Sequence, residues 1–191
     1  CALKPCSSIS LMTASTAVAP VAMPAVDSLR EPVSRGLTRP LAWRRDQLAR
    51  LTALLDGAEE AILAALAADL GKPPVEAYFE VVAVRQELRL CQRQLRRWMA
   101  PRPVPVPLSQ RPGQARLLPE PLGCVLIIGP WNYPFSLTIQ PLVSALAAGN
   151  SAVLKPSEHA PRTSALIAQL VARHLEPAVV QVVEGDGAVA S

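Results

Sequence analysis

The sequence predicts an α/β fold: amino-terminal helices, a two-stranded extended arm, then the first βαβαβ half of a parallel sheet, truncated after its third strand. Three observations carry this. First, Cys124-Val125-Leu126-Ile127-Ile128 is a short apolar run closed by Gly129-Pro130, the pattern of a buried strand. Second, a Leu- and Ala-rich segment then reaches Gly149-Asn150, a helix stop, and Ser151-Ala152-Val153-Leu154 opens another strand that delivers Lys155-Pro156-Ser157-Glu158. Strands joined by a helical crossover lie parallel, and in open sheets of this Rossmann-like kind ligands sit beyond the carboxyl ends of the strands. Third, Pro recurs at 101, 103, 105, 107, 112, 119 and 121, which forbids helix and central strand but permits an extended arm.

Taken in order, residues 1–34 are rich in Ala, Ser, Thr and Pro without periodicity, and are expected to be disordered or loosely packed. The chain does not open on Met; the expectation is either that Met23 is the start or that the chain is a fragment at this end too. Residues 35–100 form the helical part. Thr38-Arg39-Pro40 starts a helix, with Pro40 in its first turn and Leu41, Leu48, Leu51 and Leu55 on one face. Asp56-Gly57 is expected to break it, and a second helix to run over 59–70, with Gly71 just past its end. After Pro73-Pro74 a longer helix places Val81, Val84, Leu88, Cys91, Leu95 and Trp98 on one apolar stripe. The stripe suits packing within its own domain or a short coiled-coil seam, and Arg85, Arg89, Arg93 and Arg96 read as a wet face.

Residues 101–121 are the arm, with Arg111-Pro112-Gly113-Gln114 as its turn and a return over 115–118; a plain surface linker is the alternative. Residues 122–191 are the first, incomplete half of a dinucleotide-binding unit. Its second helix opens at Pro161 and ends near Arg173 and His174, whose charges suit the helix dipole. Its third strand covers 179–183. His174 is better explained by that helix end than by catalysis, and His159 reads as an exposed loop residue. Gly185-Asp186-Gly187 is weak evidence for phosphate binding, since no third Gly follows.

The bulk properties narrow the partners. Over 191 residues the formal net charge is +4, but the Arg excess is spread along helices without interleaved aromatics. That argues for solvated faces and against a nucleic-acid partner. Cys1, Cys6, Cys91 and Cys124 show neither a CxxC pair nor His partners at metal spacing, so no metal site is expected. Cys91 and Cys124 are expected to be buried and inert, and the absence of a disulfide pattern points to the cytoplasm. No apolar run has membrane-spanning length.

The residues at the two strand tips resemble a known family. Pro121-Leu122-Gly123, the run from Ile127 to Pro134, Gln140-Pro141-Leu142, Ala147-Ala148-Gly149-Asn150 and the run from Leu154 to Glu158 resemble the aldehyde dehydrogenase superfamily. Within it they resemble the class 3 type, the fatty and aromatic aldehyde dehydrogenases. Thr38-Arg39-Pro40-Leu41-Ala42 extends the resemblance upstream, so it covers roughly residues 35–183.

Aldehyde oxidation needs a thiolate to attack the carbonyl, donors for the developing oxyanion, a hydride acceptor and a base. The carboxamide of Asn132 suits the oxyanion role at any pH, and it equally suits capping its own turn. The resemblance implies the oxyanion role. Lys155 and Glu158 suit a ribose, the carboxylate accepting from its hydroxyls and the ammonium donating; a surface ion pair is the alternative. The resemblance implies cofactor binding by Lys155 and Glu158, with Ile128, Gly129 and Trp131 lining the crevice. It implies NAD or NADP, with Glu158 favouring NAD by repelling a 2′-phosphate. It also implies an aldehyde substrate, a homodimer, and a bridging role for the arm.

The family's Gly-Gln-x-Cys and Glu-Leu-Gly-Gly settings, which hold its nucleophile and base, do not occur in these residues. The 191 residues are therefore read as the amino-terminal part of a longer enzyme, inactive alone. The other readings are a CoA-acylating or acyl-phosphate-reducing relative of the same superfamily, and a non-catalytic structural fragment.

Overall fold

The computed structural model describes residues 26–186. Three helices lead: α1 (Val26–Ser34), α2 (Leu41–Leu70) and α3 (Pro74–Trp98). The arm follows as β1 (Arg102–Val104), a 3₁₀ turn at Leu108–Gln110, and β2 (Ala115–Leu117). Then come β3 (Cys124–Ile128), α4 (Ser136–Ala147), β4 (Ser151–Lys155), α5 (Pro161–His174) and β5 (Val180–Val182).

The two sheets have the expected topology. β1 and β2 pair antiparallel, so the Pro-rich segment is a two-stranded arm rather than a linker. Its strands are three residues each and largely exposed, and Pro103 within β1 suits a strand at a sheet edge. β3, β4 and β5 form a parallel sheet in that spatial order. α2 packs on α3, α4 and α5, and the main core lies between these helices and one face of the sheet. Leu48, Leu51, Ile62 and Leu66 of α2 meet Val81, Val84 and Leu88 of α3 there, together with Ile127, Leu142 and Leu154. The α3 stripe is thus used within the chain, against α2 and α4, and not as a coiled-coil seam.

Several expectations are corrected. Asp56-Gly57 does not break the chain: α2 runs without interruption through it. Gly57 is exposed, and a Cβ there would meet nothing within 4 Å. A helical Gly costs roughly 0.5–1 kcal/mol. Leu54, Leu55 and Ile62 are buried on either side of it, and each fully buried Leu or Ile is worth about 1.5–3 kcal/mol. Burial therefore wins. Asp56 and Glu59 also join the α2 surface to Arg85 of α3, at 3.3 and 3.1 Å, so that Arg is not simply a wet residue.

Residues 26–34 are not loose. They form α1, whose Leu29 is fully buried against Val153, Val183 and Cys124 on the sheet face opposite the main core. The rest of the expected loose segment, with Met23 in it, lies outside the described residues, as does Gly187. Pro40 is the residue before α2 rather than part of its first turn. Trp98 is 46% exposed at the end of α3 instead of facing inward.

β3 is not a buried strand. β4, paired on both sides, is buried throughout, whereas β3 is paired on one side only and exposes Leu126 and Ile128. Cys124 is accordingly half-buried.

Candidate functional site

β3 and β4 end level with each other. Ile128 pairs with Lys155 in the parallel register, and the Gly129 N–H donates to the Lys155 carbonyl at 2.9 Å. Paired residues on neighbouring strands face the same side of a sheet, so Ile128 and Lys155 share a face. Ile128 is open there, while Lys155 is buried. The two tips that carry the sequence motifs therefore leave the sheet at one rim.

From Ile128 the chain turns through Gly129-Pro130-Trp131-Asn132-Tyr133 and enters α4. Gly129 is buried, and no side chain fits there: a Cβ would collide with Thr138 Oγ1 and lie 3.2 Å from Thr138 Cβ. The strand end thus lies directly on the first turn of α4. Thr138 is itself fixed, its hydroxyl donating to the Pro134 carbonyl at 2.7 Å.

Asn132 and Trp131 are exposed at the tip of this corner. The Asn132 Oδ1 accepts the Tyr133 N–H at 3.1 Å, so Asn132 does brace its own turn. The same bond orients the carboxamide. Its NH₂ group is left without a hydrogen-bond partner among the described residues, on a side chain that is exposed. The two uses of Asn132 are therefore compatible: the oxygen holds the backbone and the nitrogen is left to donate.

Sequence reasoning missed what lies beneath the corner. α4 has no local side-chain cap. Its first amides are satisfied from α3 instead: Glu80 Oε2 accepts the N–H groups of Phe135 and Ser136 at 3.0 and 2.9 Å. A carboxylate at a helix amino terminus also complements the helix dipole. Glu80 Oε1 is 2.6 Å from Lys72 Nζ, and that pair is almost wholly buried. The Lys72 ammonium sits 3.9 Å from the centroid of the Tyr133 ring, a cation–π contact. One signal was available. Glu80 lies three residues after Ala77 and four before Val84, on the buried stripe of α3, where a lone carboxylate needs a partner. α5 is closed in the same manner from α2, where Asp69 accepts the N–H groups of Arg162 and Thr163 at 3.1 and 2.7 Å.

At the second tip, Lys155 Nζ donates to Glu158 Oε2 at 2.7 Å. That hydrogen bond, followed by one from Glu158's own backbone, holds the Glu158 carboxyl below its usual range. Lys155 is almost fully buried and Glu158 is exposed, so the pair presents a fixed carboxylate at the rim. His159 follows it in the loop, exposed as expected, and His174 lies in the last turn of α5.

Neither described cysteine is an activated nucleophile by position. Cys91 is buried, and desolvation, with Glu87 beside it, pushes its thiol up to about 12. Cys124 opens β3, at the end of the strand remote from the corner. Among the described residues no group of His, Cys, Asp and Glu could hold a metal ion.

A family model described as the aldehyde dehydrogenase family matches residues 3–191. The chain belongs to the aldehyde dehydrogenase family. It is 46% identical over 161 residues to aldehyde dehydrogenase family 3 member H1 of Arabidopsis thaliana, covering 84% of this chain and 33% of that protein. It is 40% identical over 161 residues to the dimeric NADP-preferring aldehyde dehydrogenase of Canis lupus familiaris, covering 84% and 36%. Among solved structures, AldH of Staphylococcus aureus in a substrate-bound state superposes with a TM-score of 0.83. That match has 33% identity and covers 86% of this chain and 36% of that one. This aldehyde dehydrogenase chain thus spans about a third of the length of the curated relatives it matches, and its likeness is to class 3 members.

Proposed function

We propose that the whole protein oxidises aldehydes to carboxylic acids with a nicotinamide dinucleotide, and that this chain supplies the oxyanion donor and part of the cofactor rim. The observation that carries the reading is the exposed Asn132 carboxamide, whose Oδ1 is held by the Tyr133 N–H while its NH₂ is unpartnered among the described residues. A neutral donor fixed before the reaction stabilises the alkoxide that forms when a nucleophile adds to the carbonyl, at no reorganisation cost.

The donor set at the second tip fits a dinucleotide's ribose. Glu158 Oε2 is held by Lys155, and the carboxylate stays ionised to accept from vicinal hydroxyls. Ile128, Gly129 and Trp131 would border the cofactor beside it, since they lie on the same rim. When bound, the nicotinamide ring supplies the hydride acceptor. A carboxylate at Glu158 favours NAD over NADP, because it repels a 2′-phosphate. The thiolate and base are not assigned within these residues, since Cys91 is buried with a raised pKa and neither family motif occurs. The 191 residues alone are expected to be inactive.

We read residues 35–100 and 122–191 as parts of one cofactor-binding unit, and the β1–β2 arm as the bridge to a second subunit in a cytoplasmic homodimer. The arm's exposed Val104, Leu108 and Leu117 support that use.

The deciding variant is Asn132→Asp in the whole protein. Asp keeps an acceptor for the Tyr133 N–H and removes the NH₂ donors. The expected loss in kcat is about 10²–10³. Retained turnover would show that Asn132 serves the turn alone.

A further inference from the structure

Resting on the oxyanion reading of Asn132, we infer that Glu80 is a positioning residue for the reaction, setting the Asn132 carboxamide through the first amides of α4. The corner that carries Asn132 has few anchors. On the strand side it is the Gly129 N–H to the Lys155 carbonyl, at 2.9 Å. On the helix side the anchors include the Leu137 N–H to the Tyr133 carbonyl, at 3.1 Å, the Thr138 hydroxyl to the Pro134 carbonyl, at 2.7 Å, and the Ile139 N–H to the Phe135 carbonyl, at 3.0 Å. Among the described residues, Glu80 is the one side chain from outside residues 124–158 that hydrogen-bonds to residues 129–138. It grips Phe135 and Ser136, three and four residues beyond Asn132.

The chemistry of the grip is specific to a glutamate. One carboxylate oxygen takes two amides, and the other takes the Lys72 ammonium. Lys72 in turn lies against the ring of Tyr133, the residue whose N–H orients Asn132. Four groups around one buried carboxylate thus fix the corner from below: two amides, an ammonium and, through it, an aromatic ring. Gln would set its NH₂ against one of those donors. Asp would keep the charge but withdraw the oxygens by about one carbon–carbon bond, ~1.5 Å. A displacement of about 1 Å in a catalytic group can cost up to 10²-fold in rate.

The test is a double-mutant cycle in the whole protein between Glu80 and Asn132, with Glu80→Asp as the milder variant and Glu80→Gln beside it. We expect Glu80→Asp to lower kcat roughly tenfold or more while the KM for aldehyde and the affinity for NAD stay within about twofold. Glu80→Gln should lower kcat at least as far, because it turns a donor against the amides. In an Asn132→Ala background either Glu80 substitution should cost less than about twofold, because the group it positions is gone. Unchanged kcat in a folded Glu80→Asp variant, or losses that multiply in the double variant, would overturn the proposal and leave the oxyanion reading intact. An Asn132→Ala enzyme of full activity would overturn that reading and this proposal with it.

Discussion

Gly129→Ala is the smallest change that tests how the corner is packed. The backbone at Gly129 is not in the left-handed region, so the penalty comes from contact alone. The added methyl would fall on Thr138 Oγ1, with Thr138 Cβ at 3.2 Å and the Pro156 Cα at 3.6 Å. Thr138 is fully buried, and swinging its hydroxyl away breaks the bond to Pro134, worth about 0.5–1.5 kcal/mol. The strand cannot retreat freely either, because the Gly129 N–H is held by Lys155. Overpacking of this kind costs about 1–3 kcal/mol, so the total should be about 1.5–4.5 kcal/mol. Equilibrium urea unfolding, read by both circular dichroism and tryptophan fluorescence, measures it. Thr138→Ala removes the nearest obstacle, and alone should cost about 1 kcal/mol for the lost hydrogen bond. The double variant should therefore lose at least about 1 kcal/mol less than the sum of the two single variants. A Gly129→Ala loss below about 0.5 kcal/mol, or strictly additive losses, would refute the packing argument.

Glu158→Gln should raise affinity for NADP relative to NAD, measured by fluorescence titration; no relative gain would remove Glu158 from the 2′ position. Because the Glu158 carboxyl is held low by Lys155, its contribution is present above the ordinary carboxylate range and lost only as pH falls through its lowered value. NAD affinity should thus show no Glu158-dependent decline between about pH 8 and about pH 5. Cys91, with a pKa of about 12, should resist iodoacetamide at neutral pH in the native protein and react only on unfolding, as counted by mass spectrometry. Leu51→Ala, at a fully buried α2 position, should destabilise by about 2–5 kcal/mol in urea.

What could be read from the sequence was what depends on near neighbours. The β3 and β4 strands, the crossover between them and the motif-bearing tips all follow from two short apolar runs and the Gly-Asn stop between them. The arm was legible because Pro dictates backbone geometry locally. The readings that failed concern distance. Asp56-Gly57 has every local mark of a break, and only contacts with α3 and the core show why the helix runs on. The exposure of β3 depends on its place at the sheet edge, which periodicity does not encode. α1 escaped notice because a Pro sits inside it and its one fully buried residue, Leu29, packs on strands more than ninety positions away. The Lys72–Glu80 pair lay in plain view as two charges near an apolar stripe, but its partners at Phe135 and Ser136 are more than fifty residues on.

Asp69 and Glu80 sit on either side of the short link between α2 and α3, and each closes a helix of the sheet unit. An engineer who excised the sheet unit at the arm, to graft it onto another scaffold, would take α4 and α5 without the acids that finish them. Each missing cap weighs about 0.5–2 kcal/mol, before counting the apolar cover lost with α2 and α3. The sheet unit of this chain is therefore not a transplantable cassette: the ends of two early helices travel with it.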